Sequence, residues 1–363
     1  HELAWQPWDG PSGQAPAPTS LAVIGRSATA VALRDSLVGA GYTLADEETA
    51  RCVLYVPDTG TDDADDVSAA VRLTGDVAGL VSSLARRTDR EEPRLWIVTE
   101  GVRDADTAQA LRQSTLWGVA GVIGAEQPQL WGGLVDIASD ADLGNVGSAL
   151  AGVLPIGAKS ILSLRDGRFF APALAPIASE AVREPLRCRP DAAYLITGGL
   201  GALGLVTADW LADRGARRVI LAGRTALPPR SRWDADDLGK DVREKIDAIR
   251  ALELRGVAVE TAALDIGSRD DLTAWLSRRD EQGSPPIRGI IHGAGLTDSQ
   301  LLTDIDDERL RTTLWPKVAG AQALHEAFPV DSLDFLYLTA SAGTVFDVPG
   351  QGAYAAGNAY PDG

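Results

Sequence analysis

The sequence predicts an α/β protein made of two Rossmann-like, doubly wound parallel-sheet subdomains, divided into residues 1–185 and 186–363. Three observations predict it. Short apolar runs alternate with stretches of helical spacing along most of the chain. The alternation is interrupted at 176–192 (PIASEAVREPLRCRPDA), where three prolines and mixed charge read as a linker. It then restarts on a glycine-rich turn unlike any other in the chain.

Taken in order, residues 11–19 (PSGQAPAPT) read as an irregular opening segment. Leu21–Gly25 is an apolar run followed by helical spacing to about Gly39, and Cys52–Val56 and Leu95–Thr99 are further runs. Ala64–Arg86 and Ala105–Ile123 carry helical spacing. In the second half, strands are expected at Tyr194–Thr197, Arg218–Ala222, Ala258–Leu264, Ile287–His292 and Leu333–Thr339. Helices are expected at Ala202–Arg214, Lys240–Arg255, Asp270–Arg278 and Glu308–Phe328, with a last one opening near Ala353. Strands separated by amphipathic helices pair in parallel, because a helical crossover returns each strand in the same direction.

Hydrophobic residues make up 45% of the chain and charged residues 23%, which argues against wholesale disorder. The formal charge of −17 disfavours nucleic acid and anionic membrane surfaces as partners, so any bound anion must be held locally. No apolar run approaches the roughly 20 residues that span a bilayer, and HELAWQPWDG lacks the pattern of a secretory signal. Cys52, Cys188, His1, His292 and His325 have no metal-like spacing, so neither a zinc site nor a disulfide framework is expected. The expected location is the cytoplasm.

The exceptional turn is TGGLGALG, comprising Thr197, Gly198, Gly199, Leu200, Gly201, Ala202, Leu203 and Gly204. Gly199, Gly201 and Gly204 form a G-x-G-x-x-G between an expected strand and an expected helix. That context supports a dinucleotide site: the glycines permit the tight turn, the approach of a pyrophosphate and close helix packing. Twenty residues past Gly204 stands Arg224, where an NAD site has an acid; an arginine accepts a 2′-phosphate, so NADPH is the expected cofactor. Asp265 ends a strand in ALDIG and either accepts the adenine amino group or caps the next helix. The matching turn of the first half, Val23–Ala28 (VIGRSA), has Gly25 alone and is expected to carry no nucleotide.

Tyr354 and Asn358 are four residues apart and share a helix face, and Ser341 lies thirteen residues before Tyr354. A phenol with an ordinary pKa of about 10 shuttles protons near neutrality only beside a cation, and Lys317 in WPKVAG is the candidate. Ser341 would hold a carbonyl oxygen beside it.

Together TGGLGALG, IHGAG, WPKVAGA and SAGTVFDVPGQGAYAAGNA resemble the β-ketoreductase domains of modular polyketide synthases, within the short-chain dehydrogenase/reductase superfamily. Leu116–Ile137 (LWGVAGVIGAEQPQLWGGLVDI) and Arg165–Leu174 (RDGRFFAPAL) resemble that family's silent structural subdomain, so the likeness covers nearly the whole chain. The resemblance implies a structural first subdomain and a catalytic second one, with Tyr354, Ser341, Lys317 and Asn358 as catalytic residues. It adds Ile266, His292, Gly293, Ala294 and Gly295, with Lys317 and Tyr354, to the cofactor site. The implied reaction is NADPH-dependent reduction of a β-ketone on an acyl thioester borne by an acyl carrier protein, next to other synthase domains of the same polypeptide.

Stereocontrol is implied at Asp298, Phe346, Pro349 and Gln351. Pro349, five before the tyrosine, matches domains that give the D-alcohol. Thr297-Asp298-Ser299 departs from their Leu-Asp-Asp, and Phe346 stands where L-type domains carry tryptophan. The family's domain normally continues past the equivalent of Gly363 with the rest of that helix, another strand and a lid. The alternatives are a catalytically silent docking domain and a free-standing short-chain dehydrogenase, and epimerisation at the α-carbon is a further activity the family suggests.

Overall fold

The computed structural model describes residues 2–10, 19–58, 64–87, 93–104, 107–177, 186–297, 299–329 and 331–362. The chain divides into two compact units. One contains His1–Ser179, Thr297–Leu314 and Ala340–Gly363; the other contains Glu180–Leu296 and Trp315–Thr339.

The first unit holds an eight-stranded sheet: β1 (Glu2–Pro7), β2 (Ser20–Ile24), β3 (Thr43–Leu44), β4 (Cys52–Tyr55), β5 (Arg94–Glu100), β6 (Trp131–Ile137), β7 (Ile161–Arg165) and β8 (Arg168–Ala175). Their order is β1-β8-β7-β6-β5-β4-β2-β3. Strands β2 to β7 are parallel, whereas β8 returns antiparallel on β7 and β1 pairs antiparallel with β8, Glu2 opposite Ala175 and Pro7 opposite Phe170. The parallel sheet expected from the sequence thus carries an antiparallel edge. Helices α1 (Ala28–Gly39), α2 (Asp66–Ala85), α3 (Ala108–Glu126) and α4 (Leu143–Val153) make the crossovers. Leu21, Leu33, Leu37, Leu54, Trp96 and Val135 pack into one core between sheet and helices. Strand β6 is buried at every position, as a sheet covered on both faces requires.

By length and composition α2 could cross a membrane, which corrects the reading that no segment approaches that length. Its apolar side is consumed internally: Val67, Leu73, Val77, Val81 and Leu84 are buried in the protein.

The second unit has a five-stranded, all-parallel sheet: β9 (Ala193–Thr197), β10 (Arg218–Gly223), β11 (Ala258–Ala263), β12 (Ile287–His292) and β13 (Phe335–Leu338). Its order, β11-β10-β9-β12-β13, reverses direction at β9. Helices α5 (Ala202–Asp213), α6 (Lys240–Leu254), α7 (Arg269–Glu281) and α8 (Asp307–Ala327) connect them, and α9 (Gly352–Ala359) follows β13. Leu195, Ile220 and Ile290 are buried on one face of the sheet, and Tyr194, Ile196 and Leu221 on the other.

The elements of the second unit match the expected ones to within a few residues, whereas β1, β3, β6, β7, β8 and α4 of the first are not individually expected from the sequence. The compact units, however, do not follow the linear division at 185 and 186: 297–314 and 340–363 pack with the first unit. Part of the reason lies on α3. A Cβ at Gly118 would stand 2.2 Å from the Ala355 carbonyl oxygen, so only glycine lets α9 lie this close against α3. Most of the opening segment and half of the linker, 11–18 and 178–185, lie outside the described residues.

Candidate active site

The glycine turn joins β9 to α5 in the second unit. A Cβ at Gly199 would lie 2.7 Å from the Ile196 carbonyl oxygen, and one at Gly204 would lie 2.5 Å from that of Gly198. Both positions therefore exclude side chains, and the backbone of Thr197–Gly204 forms a close cradle. Helix α5 begins at the N-cap Gly201, which has no side chain to cap it, and no side chain among the described residues accepts from its first turn. The Gly201 N–H donates to the Gly198 carbonyl at 2.9 Å, whereas Ala202 and Leu203 are exposed, so the open first-turn N–H groups and the positive end of the helix dipole face outward. A pyrophosphate fits this cradle, because it needs N–H donors and no intervening side chain. The residues that would hold a nicotinamide dinucleotide here are Gly199 to Gly204.

Beneath the turn, the ends of β9 and β12 are tied together by side chains. The Thr197 hydroxyl lies 2.7 Å from His292 Nδ1 and accepts the Ala294 N–H at 3.1 Å. His292 Nε2 lies 2.9 Å from the Pro316 carbonyl, which can only accept, so Nε2 carries the proton and Nδ1 accepts from Thr197. Burial, followed by the charge of Lys317, pushes the His292 pKa down to about 4, and the imidazole is neutral at pH 7. Lys317 itself is 4% exposed and passes under Gly295, where a Cβ would stand 3.1 Å from its Cε. Its ammonium donates to the Thr339 carbonyl at 2.5 Å, and the Thr339 hydroxyl donates to the His292 carbonyl at 2.8 Å. Gly293, Ala294, Gly295, His292 and Lys317 thus converge with Thr197 in this unit.

Arg224 is exposed just past β10, with no side-chain hydrogen bond or ion pair among the described residues. Asp265 does not cap α7; Ser268 does, accepting the Asp271 N–H at 3.2 Å. Asp265 Oδ1 instead accepts from Trp315 Nε1 at 2.9 Å and Gly267 N–H at 3.0 Å, which leaves the adenine reading open. Ile266, expected at the cofactor, lies in the turn that follows β11, and its side chain packs in the core with Leu264 and Leu324. Trp315 and Thr339 are the residues of this site that no sequence signal marks.

The other candidates lie in the first unit. Ser341 caps a short 3-10 turn, Ala342–Thr344, its hydroxyl accepting the Gly343 N–H at 3.1 Å. Tyr354 and Asn358 sit one turn apart on α9, and Asn358 Nδ2 donates to the Tyr354 carbonyl at 2.8 Å. Asn358 is fully buried, and its Oδ1 has no hydrogen-bond partner among the described residues. Phe346 is 58% exposed, Pro349 is exposed, and Gln351 is the N-cap residue of α9. Asp298 lies outside the described residues.

Comparison with known proteins divides the chain linearly. Residues 192–363 match the family model "KR domain", and residues 3–174 match "Polyketide synthase extender module SpnB, Rossmann fold domain". One component of the phenolphthiocerol/phthiocerol polyketide synthase of Mycobacterium tuberculosis is 53% identical over all of this chain, which covers 20% of that protein. The 5-methyl-1-naphthoate synthase of Streptomyces sahachiroi is 38% identical, again over the whole chain and 21% of the relative. Among solved structures, an A1-type ketoreductase superposes with a TM-score of 0.75 at 26% identity, covering 99% of this chain and 78% of the other. This chain, about a fifth the length of its curated relatives, belongs to the ketoreductase (KR) domains of type I polyketide synthases and carries their Rossmann-fold structural subdomain ahead of the catalytic one.

Proposed function

We propose that this domain reduces the β-keto group of an acyl chain, held as a thioester on an acyl carrier protein, to a D-configured β-hydroxyl with NADPH. The observation that carries the reading is the uncapped N-terminus of α5 inside a cradle closed to side chains at Gly199 and Gly204. Arg224, exposed and uncommitted beyond the neighbouring strand, favours a 2′-phosphate over a bare ribose. When bound, the dihydronicotinamide is the two-electron reductant.

The protein's own groups then have the following roles. Ser341 hydrogen-bonds the substrate carbonyl oxygen and polarises it. Tyr354 gives that oxygen its proton as the alcohol forms. Lys317, a buried cation, favours the phenolate that remains, and Asn358 supports the return of a proton to it. The neutral His292 keeps the ends of β9 and β12 in register and contributes no charge of its own. Pro349, five residues before Tyr354, supports the D configuration. The acyl carrier protein and neighbouring synthase domains are the partners this reading implies.

The test is reduction of a β-keto thioester by NADPH, comparing a carrier-bound substrate with its free analogue and determining the alcohol's configuration. Tyr354→Phe should lower kcat by about 10²- to 10⁴-fold while leaving NADPH binding nearly intact. Proven NADPH binding without turnover by the unaltered protein would identify a silent domain, and an L-alcohol would remove the stereochemical part.

A further inference from the structure

Glu126 is the last residue of α3, in the half of the chain that the reaction does not use. Its carboxylate nevertheless meets two segments far ahead in sequence, all within the first unit. Oε2 accepts the Leu302 N–H at 2.9 Å, and Oε1 accepts the Gly350 N–H at 2.8 Å. The same two segments hold each other. Gln300 N–H donates to the Gly350 carbonyl at 2.8 Å, and Gln300 and Gln351 form an isolated parallel bridge.

The contact is sterically specified as well. Gly350 has φ +79°, and a Cβ there would stand 2.8 Å from Ser299 Oγ. The Leu302 side chain is buried, and a Cβ at Gly352 would strike it at 2.3 Å. One charged acceptor therefore fastens the segment that follows Thr297–Ser299 to the Pro349–Gln351 turn that opens α9 and precedes Tyr354. Hydrogen bonds to a carboxylate are about twice as strong as neutral ones, and this one carboxylate serves two backbone donors.

We propose that Glu126 is a positioning residue for the reduction. Its carboxylate sets the register between 299–302 and 349–351, and through it the face of the β-ketone that the site presents. This rests on the reading that these segments contact the substrate. The structural subdomain then acts on selectivity through one side chain, in addition to supporting the fold.

The test uses Glu126→Gln in the full chain, which keeps the length but turns an amide nitrogen toward one of the two donors. Amide hydrogen exchange of the peptides holding Leu302 and Gly350 should quicken about tenfold. KM for a two-substituted β-keto thioester should rise about tenfold, and the minor alcohol isomer should increase several-fold, with NADPH affinity unchanged. Unaltered exchange in both peptides overturns the clamp. Faster exchange with unchanged KM and isomer ratio overturns the positioning role, as does a parallel fall in NADPH affinity and thermal stability. If the unaltered chain reduces nothing, the reading of its function fails by itself. Calorimetric binding of the thioester then decides for Glu126: about tenfold weaker binding in E126Q supports it, and equal binding overturns it.

Discussion

Each unit contains a turn that runs from a parallel strand through glycine into a helix, β2 into α1 and β9 into α5, and the two turns have opposite fates. In the first, Gly25 has φ +143°, and a Cβ would lie 2.2 Å from the Val56 carbonyl oxygen. The turn lies beside the switch between β2 and β4, where open α/β sheets bind ligands. There Asp58 accepts the Arg26 N–H at 2.5 Å, and Ser27 caps α1 through the Ala30 N–H at 3.2 Å. Burial pushes the Asp58 carboxyl up, but the donors of Arg26 and Ser27 outweigh it and hold the group below the ordinary range. The first helix N-terminus is thus neutralised by the protein's own carboxylate. The second meets no such carboxylate among the described residues. A nucleotide-type fold keeps or loses its site according to which group owns those few N–H donors.

Acid should separate the units most. His292, at about 4 in the folded protein against an ordinary 6.5, stays neutral while an unfolded chain takes up a proton. Its contribution is therefore intact above pH 6.5 and declines as pH falls toward 4, by roughly 3 kcal/mol in all. In the first unit, burial raises the Asp136 carboxyl, so the folded form takes up its proton before the unfolded one and acid favours that site. Hydrogen exchange across this range should show β9 and β12 loosening before β5 and β6; simultaneous loosening would contradict the assignment. Next in size, Gly204→Ala should weaken NADPH binding about a hundredfold, whereas Gly25→Ala should lower thermal stability and leave NADPH affinity alone. Equal effects of the two on NADPH would erase the contrast between the turns.

Arg224→Ala should weaken NADPH about tenfold with little change for NADH, and an unchanged preference would remove Arg224 from the site. The smallest effect is expected for Asp58→Ala. It should cost about 1 kcal/mol of unfolding free energy, as a lost cap does, with no change in cofactor affinity.

The second unit is largely legible in the sequence because its signals are local. Its G-x-G-x-x-G between strand and helix needs only neighbouring residues to be read, as do the tyrosine and asparagine four apart on α9 in the first unit. What the sequence hides is set at long range. The pairing of β1 with β8, the Asp58 carboxylate on a turn thirty-two residues away and the bond from Trp315 to Asp265 have no local pattern. The family resemblance implies Ile266 at the cofactor, but the residue beside a strand end can face either way, and here it joins the core. Glycines such as Gly118 explain why α9 packs with the first unit, yet in sequence they look like any small residue.

The antiparallel pairing of β1 with β8, Glu2 opposite Ala175, brings the start and the finish of the first sheet to one corner. The polypeptide therefore enters and leaves that sheet side by side, and only 297–314 and 340–363 return later to the same unit. Pull applied across that corner loads the ladder one rung at a time, so it peels open under slight tension and leaves the parallel strands behind it undisturbed.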